Sequence, residues 1–137
     1  MTQKEKELLI KDLCSRLPYG VKISIPDLWT QKMEIETLDE IFKGDDGLYR
    51  VNSKGQCIEH VKPYLFPLSS MTEEQKNEWN RWKHIIPVCH YEYGDVVEED
   101  ELWDSPESFQ YLIENNFDGN GLIPLGLAED ATNKNIY

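Results

Sequence analysis

Four side chains of metal-ligand type stand in two short pairs, Cys57-x-x-His60 and the adjacent Cys89-His90. Thiolate and imidazole are the usual zinc donors, and structural sites hold the ion on two spaced pairs set in tight knuckles. Neighbours on an extended strand project to opposite faces, so Cys89 and His90 cannot easily share one ion. No metal and no other cofactor is therefore expected. Cys14 falls in a helical stripe and reads as a small core residue. Nucleophilic catalysis has no support, because the chain lacks G-x-S-x-G and any glycine-rich phosphate loop. His84 closes a predicted helix, where its imidazole complements the helix dipole. Asp118-Gly119-Asn120-Gly121 begins like a calcium loop, but the ligand spacing fails beyond the third position and no Glu closes it. A cap or turn is the expected role of Asp118.

Carboxylates are plentiful at Glu98-Glu99-Asp100-Glu101, with Asp104 and Glu107 close by. Acid pairs serve glycoside hydrolysis and cation binding. A contiguous run, however, is costly to bury and reads as a solvated loop. Leu102-Trp103 sits inside it, and two readings remain open. An apolar anchor ringed by acids combines a hot-spot contact with steering of a basic partner. Alternatively, both residues fold back onto the core as a staple beside the next helix. Glu98, Glu99, Asp100, Glu101, Leu102, Trp103 and Asp104 are the candidate partner-binding set, with a basic protein surface as the partner.

The charge distribution supports that choice. The 137 residues carry 14 basic and 26 acidic side chains, a net charge of −12. From His84 to Asn133 there is no Lys or Arg, while twelve acids occur; the rest of the chain is balanced. Such a surface argues against direct binding of nucleic acid or anionic membranes, both of which need clustered bases. With 39% hydrophobic residues, the composition is that of a folded domain rather than a disordered chain. The polar start, the lack of an apolar stretch of membrane-spanning length and three sparse cysteines predict a soluble protein of a reducing cytoplasm.

The elements that must position these residues follow from periodicity. Residues 1–18 read as a helix, with Thr2 and Glu5 at capping-box spacing and Leu9, Leu13 and Leu17 recurring every four residues before Pro18 and Gly20. From 20 to 68 the period falls to two. Val21, Ile23 and Ile25 form a half-buried strand, Met33 and Ile35 a second, and Leu48-Tyr49-Arg50-Val51 a third after the Gly44–Gly47 turn. A slip at Thr37-Leu38 predicts a bulge or bend. Short strands joined by tight turns suggest a β-meander curled into a small SH3-like barrel.

Residues 72–137 are expected to hold two further helices and the acidic loop. Thr72 caps a helix whose stripe is Trp79, Trp82 and Ile86, ending at Pro87; residues 88–97 are extended. Ser105 and Pro106 start the last helix, with Phe109, Leu112, Ile113 and Phe117 on its buried face. The whole reads as one α+β domain, 1–137, in which about three helices pack on a small, strongly curled antiparallel sheet. A pocket between sheet and helices would be lined by Tyr49, His60, Tyr64 and Trp82.

Three stretches carry a resemblance: Lys6–Val21 (KELLIKDLCSRLPYGV), Val61–Thr72 (VKPYLFPLSSMT), and Phe117-Asp118 through Gly121-Leu122-Ile123 to Gly126-Leu127-Ala128. Together they resemble small uncharacterised proteins of anaerobic gut bacteria, their phages and other mobile elements. The segment from Ile25 to Asn52 and the acidic run depart from that pattern. The resemblance implies context alone, a phage-linked protein that modifies host processes or counters defence, and transfers no activity or site residue. A non-enzymatic interaction module is the expected function. The alternatives are an anti-defence decoy mimicking nucleic acid before a host enzyme, and a small enzyme or ligand binder using the pocket.

Overall fold

The computed structural model describes all residues, Met1–Tyr137, and the chain divides into two units, one of residues 1–70 with 113–137 and one of 71–112.

In the first unit, helix α1 (Gln3–Arg16) starts as its sequence dictates: Thr2 and Glu5 exchange backbone–side-chain hydrogen bonds in a capping box. Leu9 and Leu13 are fully buried on its inner face. At about 1.5–3 kcal/mol for each aliphatic side chain removed from water, that face fixes the helix on the sheet. Pro18 and Gly20, the latter at φ 71°, end it. One turn from the end, Asp12 and Arg16 are both fully buried. Arg16 donates from Nε and Nη2 to the two carboxylate oxygens at 2.8 and 3.1 Å, and Nη2 also donates to the Phe117 carbonyl at 2.7 Å. Asn120 Nδ2 donates to Asp12 at 2.8 Å, completing a network that ties the helix to a segment a hundred residues away in sequence.

The strands form two open sheets. β1 (Lys22–Pro26) lies between β2 (Met33–Thr37) and β6 (Lys62–Leu65), and β9 (Glu129–Asp130) adds in parallel beside β6. β3 (Ile41–Lys43), β4 (Tyr49–Val51) and β5 (Gln56–Cys57) make a separate antiparallel meander. The α+β class therefore holds, but no sheet is closed or strongly curled and the SH3-like barrel is not formed. The reason lies in the order β2-β1-β6-β9, in which β6 returns beside β1 while β3–β5 pair only among themselves. β1 is buried on both faces, Ser24 included, where alternation predicted a half-buried strand. Leu9, Leu13, Val21, Ile23, Ile25, Leu38, Val51, Val61, Leu65 and Leu122 make the core.

No bulge or bend marks Thr37-Leu38, since Leu38 N–H still donates to the Val21 carbonyl at 2.9 Å in step with the ladder; the connection from there to β3 is held by Asn52. This residue is buried at φ 56°, a conformation Asn tolerates better than most residues. Its Oδ1 accepts from the backbone N–H of Asp39 and Glu40 at 2.9 and 3.4 Å. Its Nδ2 donates to the Thr37 carbonyl and to Glu36 at 3.0 and 3.1 Å. Asn52→Ala strands these partners and is expected to cost about 1–3 kcal/mol in urea denaturation. A change within about 0.5 kcal/mol, the range of an ordinary surface substitution, would show that the connection needs no such clamp.

In the C-terminal segment, the Asp118 carboxylate accepts from the backbone N–H of Leu122 and Ile123 at 2.7 and 2.9 Å, and Gly126 follows at φ 74°. The turn reading of Asp118 is thus the observed one. Tyr137 donates to the Tyr64 carbonyl at 2.7 Å and accepts from Lys22 N–H at 2.9 Å; burial of the hydroxyl pushes its pKa up to about 12.

In the second unit, helix α2 (Glu73–Arg81) carries the expected capping box between Thr72 and Gln75. It stops five residues earlier than predicted. Trp82 is its C-cap, and Ile86 lies on a strand rather than on the helical stripe. β7 (His84–Glu92) and β8 (Asp95–Trp103) follow as a nine-pair antiparallel hairpin, so His84 begins a strand and the acidic run is a strand too. Ile85-Ile86 and Val88 are β-branched, and Pro87 breaks helical hydrogen bonding, so strand wins over helix here. Tyr93 (φ 52°) and Gly94 (φ 86°) form the two-residue connection with both φ angles positive, the type I′ geometry of tight hairpins. Ser105 and Ser108 exchange backbone–side-chain bonds of 2.8 and 3.0 Å at the start of α3 (Pro106–Glu114). Leu112 is buried as predicted, while Phe109 is 37% exposed; Ile113 and Phe117, which belong to the first unit, are buried there as predicted.

Candidate functional site

A two-residue turn fixes the geometry of the hairpin. In such a connection the flanking pair, Glu92 and Asp95, exchanges both backbone hydrogen bonds, and bonded and non-bonded pairs then alternate down the ladder. Pro87 pairs with Asp100 at a non-bonded position, the only kind a residue without an N–H can occupy inside a ladder. Turn and proline thus agree on the phase.

Side chains alternate with the same period. Glu99, Glu101 and Trp103 share one face with His84, Ile86, Val88, His90 and Val97. Glu98, Asp100 and Leu102 share the other with Ile85, Pro87, Cys89, Tyr91 and Val96. Only Ile86, Val88 and Val97 are half-buried; every other residue of the two strands is exposed. Leu102 is 48% and Trp103 54% exposed, so neither folds back as a buried staple. Trp103 Nε1 donates to Glu101 at 3.1 Å, which holds the indole beside the acids. Asp104 lies just past the strand, 3.9 Å from Lys83 Nζ. The seven candidate residues are thus continuous along one strand and its end, divided between two faces.

The electrostatics are lopsided. The second unit holds eleven acids and three bases, and all three bases lie at or just after α2. Lys76 pairs with Glu73, and Lys83 sits 3.6 Å over the Trp79 ring as well as near Asp104. The hairpin itself carries no Lys or Arg, and an imidazole, that of His90, lies 3.8 Å from Glu92. The acid surplus seen in the sequence is split: Glu114, Asp118, Glu129 and Asp130 belong to the first unit, where Asp118 is consumed as a cap.

The four residues assigned to a pocket lie in different places. Tyr49 lines a cavity of about 460 Å³ in the first unit with Lys6, Lys11, Lys43, Ile58 and Glu59. Lys6 pairs with Glu59 and holds its carboxyl below the usual range. His60 lines a second depression, of about 520 Å³, with Asp27, Met33 and Glu129. Tyr64 is buried, its ring 5.5 Å from Lys134 Nζ. Trp82 is the C-cap of α2 in the second unit and 54% exposed. No three His, Cys, Asp or Glu side chains converge on a point that would hold a metal ion, and the three cysteines are free.

What sequence reading missed is the backbone: a nine-residue strand paired on one side only. Gly94 preceded by an aromatic, between two β-branched runs, was the available signal. No helix is long and apolar enough to cross a membrane. Comparison with known proteins yields no match, whether to a family model, a characterised protein or a solved structure.

Proposed function

We propose that the protein is a non-enzymatic interaction module whose acidic hairpin captures a basic protein surface. The observation that carries this is the joint exposure of Leu102, Trp103 and Tyr91 on a ribbon with six acids and no Lys or Arg. Exposed aromatic and aliphatic side chains supply contact energy, and the surrounding carboxylates supply steering and choice of partner. Anti-defence mimicry of nucleic acid is the narrower form of the same reading, and its mark is competition with DNA for the partner. The resemblance to phage-linked proteins supports a host-directed role of this kind. Cytoplasmic action belongs to the same proposal.

Charge reversal tests it. Immobilised wild-type chain is expected to retain a Lys/Arg-rich peptide at low ionic strength and to release it as salt rises. Glu99→Lys, Glu101→Lys and Asp104→Lys together should weaken that binding at least about tenfold, since each replaces attraction by repulsion at exposed sites. Equal retention by wild type and variant would reject the hairpin as the capture surface.

A further inference from the structure

The proposed capture of a basic partner leaves open how a ribbon with acids on both faces could engage one. A partner lying on one face of β8 meets Glu99, Glu101 and Trp103; a partner on the other meets Glu98, Asp100 and Leu102. Either way half the charge and half the apolar contact go unused. Only a strand added in the plane of the ribbon has neighbours on both faces, because its own side chains alternate in step with those of β8.

The two outer edges are not equivalent. By the phase set by turn and proline, the outward N–H and C=O groups on β8 belong to Val96, Glu98, Asp100 and Leu102. All four residues offer both groups. On β7 the outward positions are Ile85, Pro87, Cys89 and Tyr91, and Pro87 has no N–H to give. A proline on an edge strand blocks strand addition there, whereas β8 presents an unbroken row of donors and acceptors.

Charge then selects the occupant. Residues opposite Glu98, Glu99, Asp100 and Glu101 meet four consecutive carboxylates, and those opposite Val96-Val97 and Leu102-Trp103 meet apolar side chains at both ends. A second copy pairing through its own β8 would place acids among acids, which is unfavourable. We infer that the outer edge of β8 accepts an extended segment with four consecutive Lys or Arg residues flanked by apolar ones, as a third antiparallel or parallel strand. Trp103 adds a ring face on which an arginine can stack. This rests on the proposed capture of bases but is separable from it, since main-chain pairing and charge attraction respond to different changes in the ligand.

The probe is a capped eight-residue peptide, Val-Val-Arg-Lys-Arg-Lys-Val-Val, used with two relatives N-methylated on alternate residues in opposite phases. Charge is the same in all three. Edge pairing predicts that one methylated form binds like the parent and the other loses affinity about tenfold or more, as its inward donors vanish. It also predicts that the parent peptide slows amide exchange at Val96, Glu98, Asp100 and Leu102 by about tenfold or more at saturation, while exchange at Ile85, Cys89 and Tyr91 is unchanged. Equal binding of all three peptides would leave charge capture standing and overturn edge pairing. Failure of every peptide to bind, at low ionic strength too, would overturn both. Protection of the four β8 amides without peptide, growing with protein concentration, would assign the edge to a second copy and overturn the inference.

Discussion

Asp12→Ala is expected to cost about 3–5 kcal/mol, the largest single-residue effect in the first unit. The aspartate and Arg16 are both fully buried, and Arg16 Nη1 already has no hydrogen-bond partner. Removing the carboxylate leaves a guanidinium in the core with the Phe117 carbonyl as its sole acceptor, and Asn120 loses its acceptor as well. Domains of this size have about 5–15 kcal/mol of stability, so much of it is at stake. The pair itself is not the source of that stability. Replacing both members by apolar residues of similar volume, as in Asp12→Leu with Arg16→Met, should recover much of the loss, because no charge then needs a partner. Urea denaturation of the single and double variants gives the two numbers. A single variant within about 1 kcal/mol of wild type would mean that water reaches the site and the network is dispensable.

No local sequence pattern marks Asp12 and Arg16 as buried. At i and i+4 on a helix, they look like any solvent-exposed ion pair. Their burial depends on Phe117 and Asn120, which no local pattern connects to residue 12. The helix itself was legible, since Thr2, Glu5, Leu9 and Leu13 encode start and face within one segment. So were the Asp118 cap and the Ser105-Pro106 start, where a single side chain meets backbone groups a few residues on. β1, β2 and β4 announced themselves by alternation, but the barrel did not follow, because sheet order is decided by contacts between distant strands such as β1 with β6 and β6 with β9. Asn52 was invisible for the same reason.

The hairpin failed differently. Trp79, Trp82 and Ile86 fit a helical period, and that coincidence hid the change to strand at His84. Alternation, the usual sign of a strand, arises when one face meets a core and the other meets water. Here both faces are largely exposed, so Glu98 to Glu101 show no period at all and read as a loop. The candidate partner-binding residues were found through composition and charge; their shared strand and its unpaired edge needed the backbone.

That exposure sets the second large expected effect. In amide exchange of the free protein, the bonded amides of β7 and β8 should exchange about a thousandfold faster than those of β1 and β6. The central sheet opens only with the first unit's core, at a cost near its whole stability, since Ile23, Ile25 and Leu65 are fully buried. An isolated two-stranded ribbon is marginal in water, and this one has just Ile86, Val88 and Val97 half-buried along eighteen residues. Each 1.4 kcal/mol of difference in opening energy is a factor of ten, so a gap of about 4 kcal/mol gives that ratio. The consequence for function is direct. A third strand on β8 would convert the ribbon from two strands to three, the number at which independent stability begins. Part of the binding energy would then go into ordering the arm, and affinity would rise on stiffening the free hairpin. Replacing the first turn residue, Tyr93→Asn, gives the Asn-Gly pair that a type I′ turn prefers and does this while leaving both strands untouched. It should slow exchange throughout the hairpin and tighten the basic peptide by several-fold, because less ordering remains to be done on binding. Slower exchange with unchanged affinity would show that the arm is already ordered in the free protein.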